Sequence, residues 1–508
     1  MRVNSTDCPM HDGGCVVNHR LLYVFVLHMV WTSCLGGWTS LALAQVSSSP
    51  RLLWQPPDLH DYTRALQQPE GSPLAPDKYY TLAELIDLAQ RTNPETRVAW
   101  ERAQQAAAAV GLVESEYYPV LALSASVGAS RVTFPIPTNL VPQGNFRVDS
   151  AYFTPTLTLR WLLLDFGQRR AAHEAASAQL LAQNLGFNNT HQQIVFAVQK
   201  SFYALASARG RMAVAQAALD AATTVQQAAE ARLQRGLATL PEVELARQQA
   251  VQASFDLEDV LTTERDAQVA LAQSIGIPPT TPIQVTDLTA VPLPTTLAES
   301  VEQVISRALE QRPDLSAKVA TLRAHEANVR RVQKEYGPKL SVTADVGGLF
   351  ASQQIDNGGS KTQHADEIAA HYGARLLLTW PLFEGGARQR KLELATSERR
   401  AAEAELEDSR DKAISQVWNA YTDVKLALRR LDVAAALVTA SERSYESTLA
   451  SYKLGLSTLL DLLAARRERS RAQFTALDTK ARLLTASAAL AFTTGDLGQE
   501  LLRTTPRR

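Results

Sequence analysis

Residues 153–169 read FTPTLTLRWLLLDFGQR, and residues 372–388 read YGARLLLTWPLFEGGAR. In the earlier stretch Phe153, Pro155, Leu157, Leu159 and Trp161 fall on one side of an extended chain. Thr154, Thr156, Thr158 and Arg160 fall on the other. A period of two with unlike faces is the pattern of a half-buried or lipid-facing strand. The alternation stops at a tryptophan in both stretches, and a turn signal follows, Asp165-Phe166-Gly167 and Glu384-Gly385-Gly386. Gly385-Gly386 lacks the lysine and threonine spacing of a phosphate loop and reads as a strand-to-helix bend.

One offset aligns the two stretches and much else. Pro94 and Pro313 are 219 residues apart, and the same 219 carries Pro119 to Pro338, Trp161 to Trp380 and Gly167 to Gly386. It also carries Gly236 to Gly455, Thr239 to Thr458, Ala246-Arg247 to Ala465-Arg466 and Gly276 to Gly495. The chain therefore reads as two copies of one unit, 81–276 and 300–495, joined by a Pro/Thr-rich linker, 277–299. An N-terminal extension, 45–80, and a C-terminal tail, 496–508, flank them.

Each copy has one internal order. Leu82, Leu85, Ile86 and Ala89 recur at helical spacing, and the helical stretch 81–118 ends at Pro119. Leu121, Leu123, Ala125 and Val127 then alternate with Ala122, Ser124, Ser126 and Gly128. The second copy repeats this with Leu340, Val342, Ala344 and Val346 against Ser341, Thr343, Asp345 and Gly347. A polar loop follows, then the second strand quoted above. Both alternating runs cover about 11 residues, the length of a tilted membrane β-strand. Strands of a soluble sheet alternate too, but an export signal and strand-end tryptophans favour the membrane reading. Trp161 and Trp380 are expected as interface aromatics. Four strands cannot close a barrel alone, and open edges are not tolerated in lipid, so several chains are expected to contribute.

From Gly167 to Gly236 the chain has no proline, and as one helix this segment is roughly 100 Å long at ~1.5 Å per residue. The segments 81–118 and 237–276, end to end, about equal it. The expected path climbs from mid-height, makes a strand hairpin, descends the full length, turns at Gly236 and climbs back. The second copy turns at Gly455. A solid coiled-coil rod accounts for neither the hairpins nor the duplication.

The composition agrees. The chain has 508 residues, 51 basic and 52 acidic, so no basic field points to nucleic acid. Hydrophobic residues are 45% and aromatics 6%, with alanine abundant, which favours long, closely packed helices. The apolar run from Leu21 follows Arg20 and ends at Ala42-Leu43-Ala44, so 1–44 is expected to be a cleaved signal peptide, a retained anchor being the alternative. Cys8, Cys15 and Cys34 all precede that cut. The residues before Cys34 lack a lipoprotein pattern. Beyond residue 44 no stretch approaches the ~18 apolar residues of a membrane helix. The nine histidines form no metal-ligand pair, and no nucleophile–base arrangement stands out. Neither an enzyme nor a cofactor or metal site is expected.

This grammar resembles the TolC-like outer membrane efflux protein family over residues 80–497. The match rests on Asn93-Pro94, Arg312-Pro313-Asp314-Leu315, Pro119, Pro338, the two tryptophan-led bends, Arg235-Gly236-Leu237-Ala238-Thr239, Gly455-Leu456-Ser457-Thr458 and the closing Ala-Leu-Ala-x-x-x-Gly of each copy. The resemblance implies a mainly α fold with membrane β: a homotrimeric α-barrel in the periplasm carrying a shared twelve-stranded β-barrel in the outer membrane. It implies a passive export channel of a tripartite efflux or type I secretion system. Its partners would be outer-membrane lipid, a periplasmic adaptor and, through the adaptor, an inner-membrane pump of the RND or ABC type. The turns holding Gly236, Leu237, Thr239, Gly455, Leu456 and Thr458 would meet the adaptor. Asp461, Leu460 and Arg467 would form the pore gate, although Ala464 stands where a second acid often sits. A periplasmic adaptor and a helical scaffold are the rival readings. The adaptor would need a lipoyl-like β-domain, and a scaffold does not explain paired amphipathic strands.

Overall fold

The computed structural model describes residues 74–75, 78–139, 144–287, 293–294, 296–297, 299–356 and 363–497. The expected signal peptide and its cysteines lie outside the described residues. In chain order β1 (Tyr79–Tyr80) precedes the first copy, which contains α1 (Leu82–Thr92), α2 (Pro94–Ser115), β2 (Val120–Pro135), β3 (Asn145–Leu164), α3 (Gln168–Gln234) and α4 (Leu240–Ile275). Then follow β4 (Gln284–Val285), α5 (Val301–Gln311), α6 (Pro313–Lys334), β5 (Lys339–Asp356), β6 (Gln363–Thr379), α7 (Ala387–Lys453) and α8 (Leu459–Thr494).

The opening helix of each copy is two helices, which corrects the reading of 81–118 as one. Thr81 and Glu84 form a capping box that starts α1. Pro94 excludes its predecessor from helical backbone, so Asn93 is extended (φ −69°, ψ 123°) and becomes the cap of α2. The Asn93 side chain accepts from Glu95 N at 2.8 Å and donates to the Ser274 carbonyl at 2.9 Å. Arg312 holds the matching joint between α5 and α6, donating to the Thr493 carbonyl at 3.3 Å and to the Asp314 carboxylate. Gly276 and Gly495 close the end of α4 and of α8 against these joints. A Cβ on Gly276 would stand 2.7 Å from Asn93 Cα.

The main core forms at the midpoint of α3. Val198, Phe202 and Leu205 are fully buried there against Leu85 and Ala89 of α1, Leu271 and Ile275 of α4, and Leu484 and Ala488 of α8. The linker segment opens inside this core with Ile277, Ile283 and Val285, and β4 pairs in parallel with β1 through Tyr80 and Val285.

Above the core α2, α3, α6 and α7 lie side by side, and below it α4, α3, α8 and α7 do. Small residues set the spacing. On α3, Ala208, Ala215, Ala222 and Ala229 are buried, and on α7, Ala413, Ala420, Ala427, Ala434 and Ser441. Each series steps by seven, the repeat that keeps one seam facing a neighbour in a left-handed supercoil.

The strands form one antiparallel sheet in the order β2-β3-β5-β6. Each has 16 to 20 residues, longer than the alternation predicts. The apolar face ends near Phe153, paired with Val127 and Phe350, and Ile368, paired with Phe350. Backbone pairing continues past it, and Arg131 and Asp149 form a cross-strand ion pair there. Among the described residues no helix is long and apolar enough to cross a membrane.

Candidate functional site at the helical tips and strand–helix junctions

At the lower ends of α3 and α7 the chain reverses through matching turns. Gly236 N donates to the Leu233 carbonyl at 2.9 Å and Leu237 N to the Arg232 carbonyl at 2.8 Å. Gly455 N and Leu456 N repeat this with Tyr452 and Ser451 at 3.0 and 2.8 Å. This paired closure needs a left-handed residue, and Gly236 (φ 71°) and Gly455 (φ 76°) supply it. Thr239 and Thr458 cap the returning helices as expected. Glu242 accepts from Thr239 N at 3.0 Å, and Asp461 accepts from Thr458 N at 3.0 Å and Thr458 Oγ1 at 2.6 Å. The Thr458 hydroxyl and amide hold the Asp461 carboxyl below its ordinary value.

Asp461 therefore has a structural task, completing the cap of α8, and Glu242 is its counterpart 219 residues earlier. Leu460 and Arg467 are exposed on the same helix, Leu460 to 61%. Among the described residues no hydrogen bond or ion pair joins Asp461 to Arg467. Leu237, Leu240, Leu454 and Leu456 are also exposed, so each tip ends in bare leucine side chains.

Two tip residues carry a contact that the sequence did not single out. Arg232 Nη1 donates to Tyr452 Oη at 2.8 Å, and the guanidinium carbon lies 5.7 Å from the ring centroid. Beneath this link Ala229, Val243 and Ala246 pack with Leu459 and Leu463, which fastens the α3–α4 hairpin to the α7–α8 hairpin. Residues 219 away from Arg232 and Tyr452 are Ser451 and Leu233, so no repeat signal marks the pair. Arg466 also works across the hairpins, donating to the Ala218 carbonyl. Burial lowers its pKa.

At the upper junctions both tryptophans have a definite bond. Trp161 Nε1 donates to the Tyr117 carbonyl at 2.9 Å, and Trp380 Nε1 to the Tyr336 carbonyl at 3.1 Å. Each ties the end of a strand to the end of the preceding helix. Beside Trp161, Asp165 and Arg169 form a buried ion pair at 3.1 Å, and Arg169 also reaches the Glu116 and Leu163 carbonyls. Glu384 and Arg388 repeat the pair at 2.9 Å with more exposure. Among the described residues no cluster of metal-binding side chains occurs.

The chain is similar to known proteins along most of its length. Protein CyaE of Bordetella pertussis is 28% identical over 423 residues, which cover 83% of this chain and 85% of that protein. The pyoverdine export outer membrane protein OpmQ of Pseudomonas putida is 25% identical, with 90% of each chain covered. Among solved structures, the CmeC outer membrane channel of Campylobacter jejuni superposes with a TM-score of 0.69 at 19% identity, covering 83% of this chain and 88% of that one. The family model described as outer membrane efflux protein matches residues 85–277 and 304–496, and the chain belongs to that family.

Proposed function

We propose that three copies of this chain close into one conduit through the outer membrane. Members of the family are transport channels that act within tripartite efflux or secretion systems, and the outer membrane is their location. The observation that carries the trimer is the sheet itself. Its outer strands β2 and β6 have unpaired edges over 16 and 17 residues, while Leu121, Leu123, Tyr372 and Leu376 stand exposed on the apolar face. Lipid accepts an apolar face but not an open edge. Pairing β6 of one copy with β2 of the next removes every edge and gives a twelve-stranded barrel, an even count of the kind such barrels have.

The helical layer beneath has edges at α2 and α4 on one side and α7 on the other, so the same closure makes a helical tunnel. The export it supports is passive. The signal peptide, 1–44, delivers the chain, and the units 81–276 and 300–495 build the wall with the linker at mid-height. The exposed tips at Gly236, Leu237, Thr239, Gly455, Leu456 and Thr458 meet a periplasmic adaptor, because bare apolar surface of this kind marks contact sites. The adaptor joins the channel to an inner-membrane pump. Asp461, Leu460 and Arg467 line the closed tip as its gate.

Fractionation followed by gel analysis without heating tests this reading. A band of three chains in the outer-membrane fraction that collapses to one on boiling supports it. A monomer, or a protein confined to another fraction, removes the shared barrel.

A further inference from the structure

The sheet register brings two arginines onto one rung. Val120 pairs with Arg160, Arg160 with Thr343, and Thr343 with Arg375. Their backbones lie two strands, about 10 Å, apart. Both belong to the polar face, opposite Leu159, Trp161, Leu376 and Leu378. Both are exposed, and neither forms a hydrogen bond or ion pair with a described residue. The duplication does not account for them, since the residues 219 away are Thr379 and Thr156.

The other charges on this face do not cancel them. Asp345 stands one rung higher and leans over Gly373. Glu367 is four rungs above Arg375, on the rung of Ala351. Lys339, two rungs below, is near Glu335. The lower lumen face thus has two unpaired guanidinium groups against one carboxylate per chain.

We infer that in the shared barrel, on which this inference rests, the Arg160–Arg375 rung forms a ring of six guanidinium groups at the inner end of the lumen. The ring binds multivalent anions bearing phosphate or carboxylate groups. Guanidinium presents a planar fork that matches those groups, and a channel wall of one sign concentrates the opposite ion. Anionic cargo that has passed the helical tunnel meets this ring before it leaves.

The test uses purified channels in planar bilayers with inorganic tripolyphosphate added on the extracellular side, from which the barrel is reached before the tip. Wild type is expected to show concentration-dependent block. The double variant Arg160→Gln/Arg375→Gln is expected to need about tenfold more tripolyphosphate, the scale of losing a charge-assisted contact. Its reversal potential in a salt gradient is expected to move toward cations. Block of equal strength in both channels overturns the ring, as does block abolished by Asp461→Ala and untouched by the double variant. Unheated gels separate this from the trimer: a wild type with no trimer band removes the shared barrel itself. A double variant that forms trimers and conducts shows that the substitutions left the barrel intact.

Discussion

Arg232 and Tyr452 join the two helical hairpins of one chain at their lower ends, by a 2.8 Å hydrogen bond and a guanidinium over the ring. Tyr452→Phe keeps the ring and removes only the bond, which at an exposed site is about 1 kcal/mol. The hairpins are then expected to separate more readily, and single-channel recordings should show longer or more frequent openings. Recordings identical to wild type mean that the apolar contacts below the link hold the tips by themselves.

Asp461 has a cap to complete and a proposed gate to narrow, and one pair of variants tells these apart. Thr458→Ala removes the hydroxyl of the cap and is expected to cost about 1 kcal/mol of stability. Asp461→Ala is expected to raise conductance and alter cation selectivity in bilayers, as Thr458→Ala is not. The folded carboxyl titrates below its ordinary value. Its contribution to stability is therefore present above the unfolded pKa and is lost as pH falls through the folded one. Conductance unchanged by Asp461→Ala leaves capping as its whole role.

The two junction ion pairs should respond unequally. Asp165→Ala strands Arg169 in a site where both side chains are 8% exposed, and removing one partner of such a pair costs about 3–5 kcal/mol. Glu384→Ala leaves an arginine whose partner was 36% exposed, and a smaller loss is expected. The temperature at which the proposed trimer dissociates on a gel ranks them. Equal shifts sink the argument from burial.

Gly276 and Gly167 both have positive φ, 84° and 95°, but only Gly276 has a close neighbour, Asn93. Alanine at Gly167 meets open space, so only the backbone cost of about 1–2 kcal/mol is expected. Alanine at Gly276 adds a clash with backbone and should lower the yield of folded protein further. Thermal unfolding of the two variants side by side checks the order.

Much of this architecture was legible because its rules are local and were written twice. Glycine at 236 and 455, threonine at 239 and 458, and the alternation before Trp161 and Trp380 each dictate backbone geometry without distant partners. Pro94 signals the joint at Asn93, but helical spacing of apolar residues continues on either side and hides it. In the second copy Arg312 does the work of Asn93 with a different side chain, which hides the equivalence. The strands outrun their alternating pattern because backbone pairing, once aligned, needs no apolar face. Arg232 and Tyr452 occupy non-equivalent positions 220 residues apart and meet only when the hairpins pack. The rung of Arg160 and Arg375 depends on register across three strands, which turn lengths and bulges set and composition does not.

The joints at Asn93 and Arg312 also divide mechanical labour. Among the described residues only α3 and α7 run unbroken from the tip turns to the strands, as two stiff struts per chain. The columns beside them are spliced at mid-height, where α4 and α8 end and α2 and α6 begin. A push at the tips therefore reaches the sheet through two members and dissipates in the other two. The lower half can change its splay while the sheet above it stays under little strain.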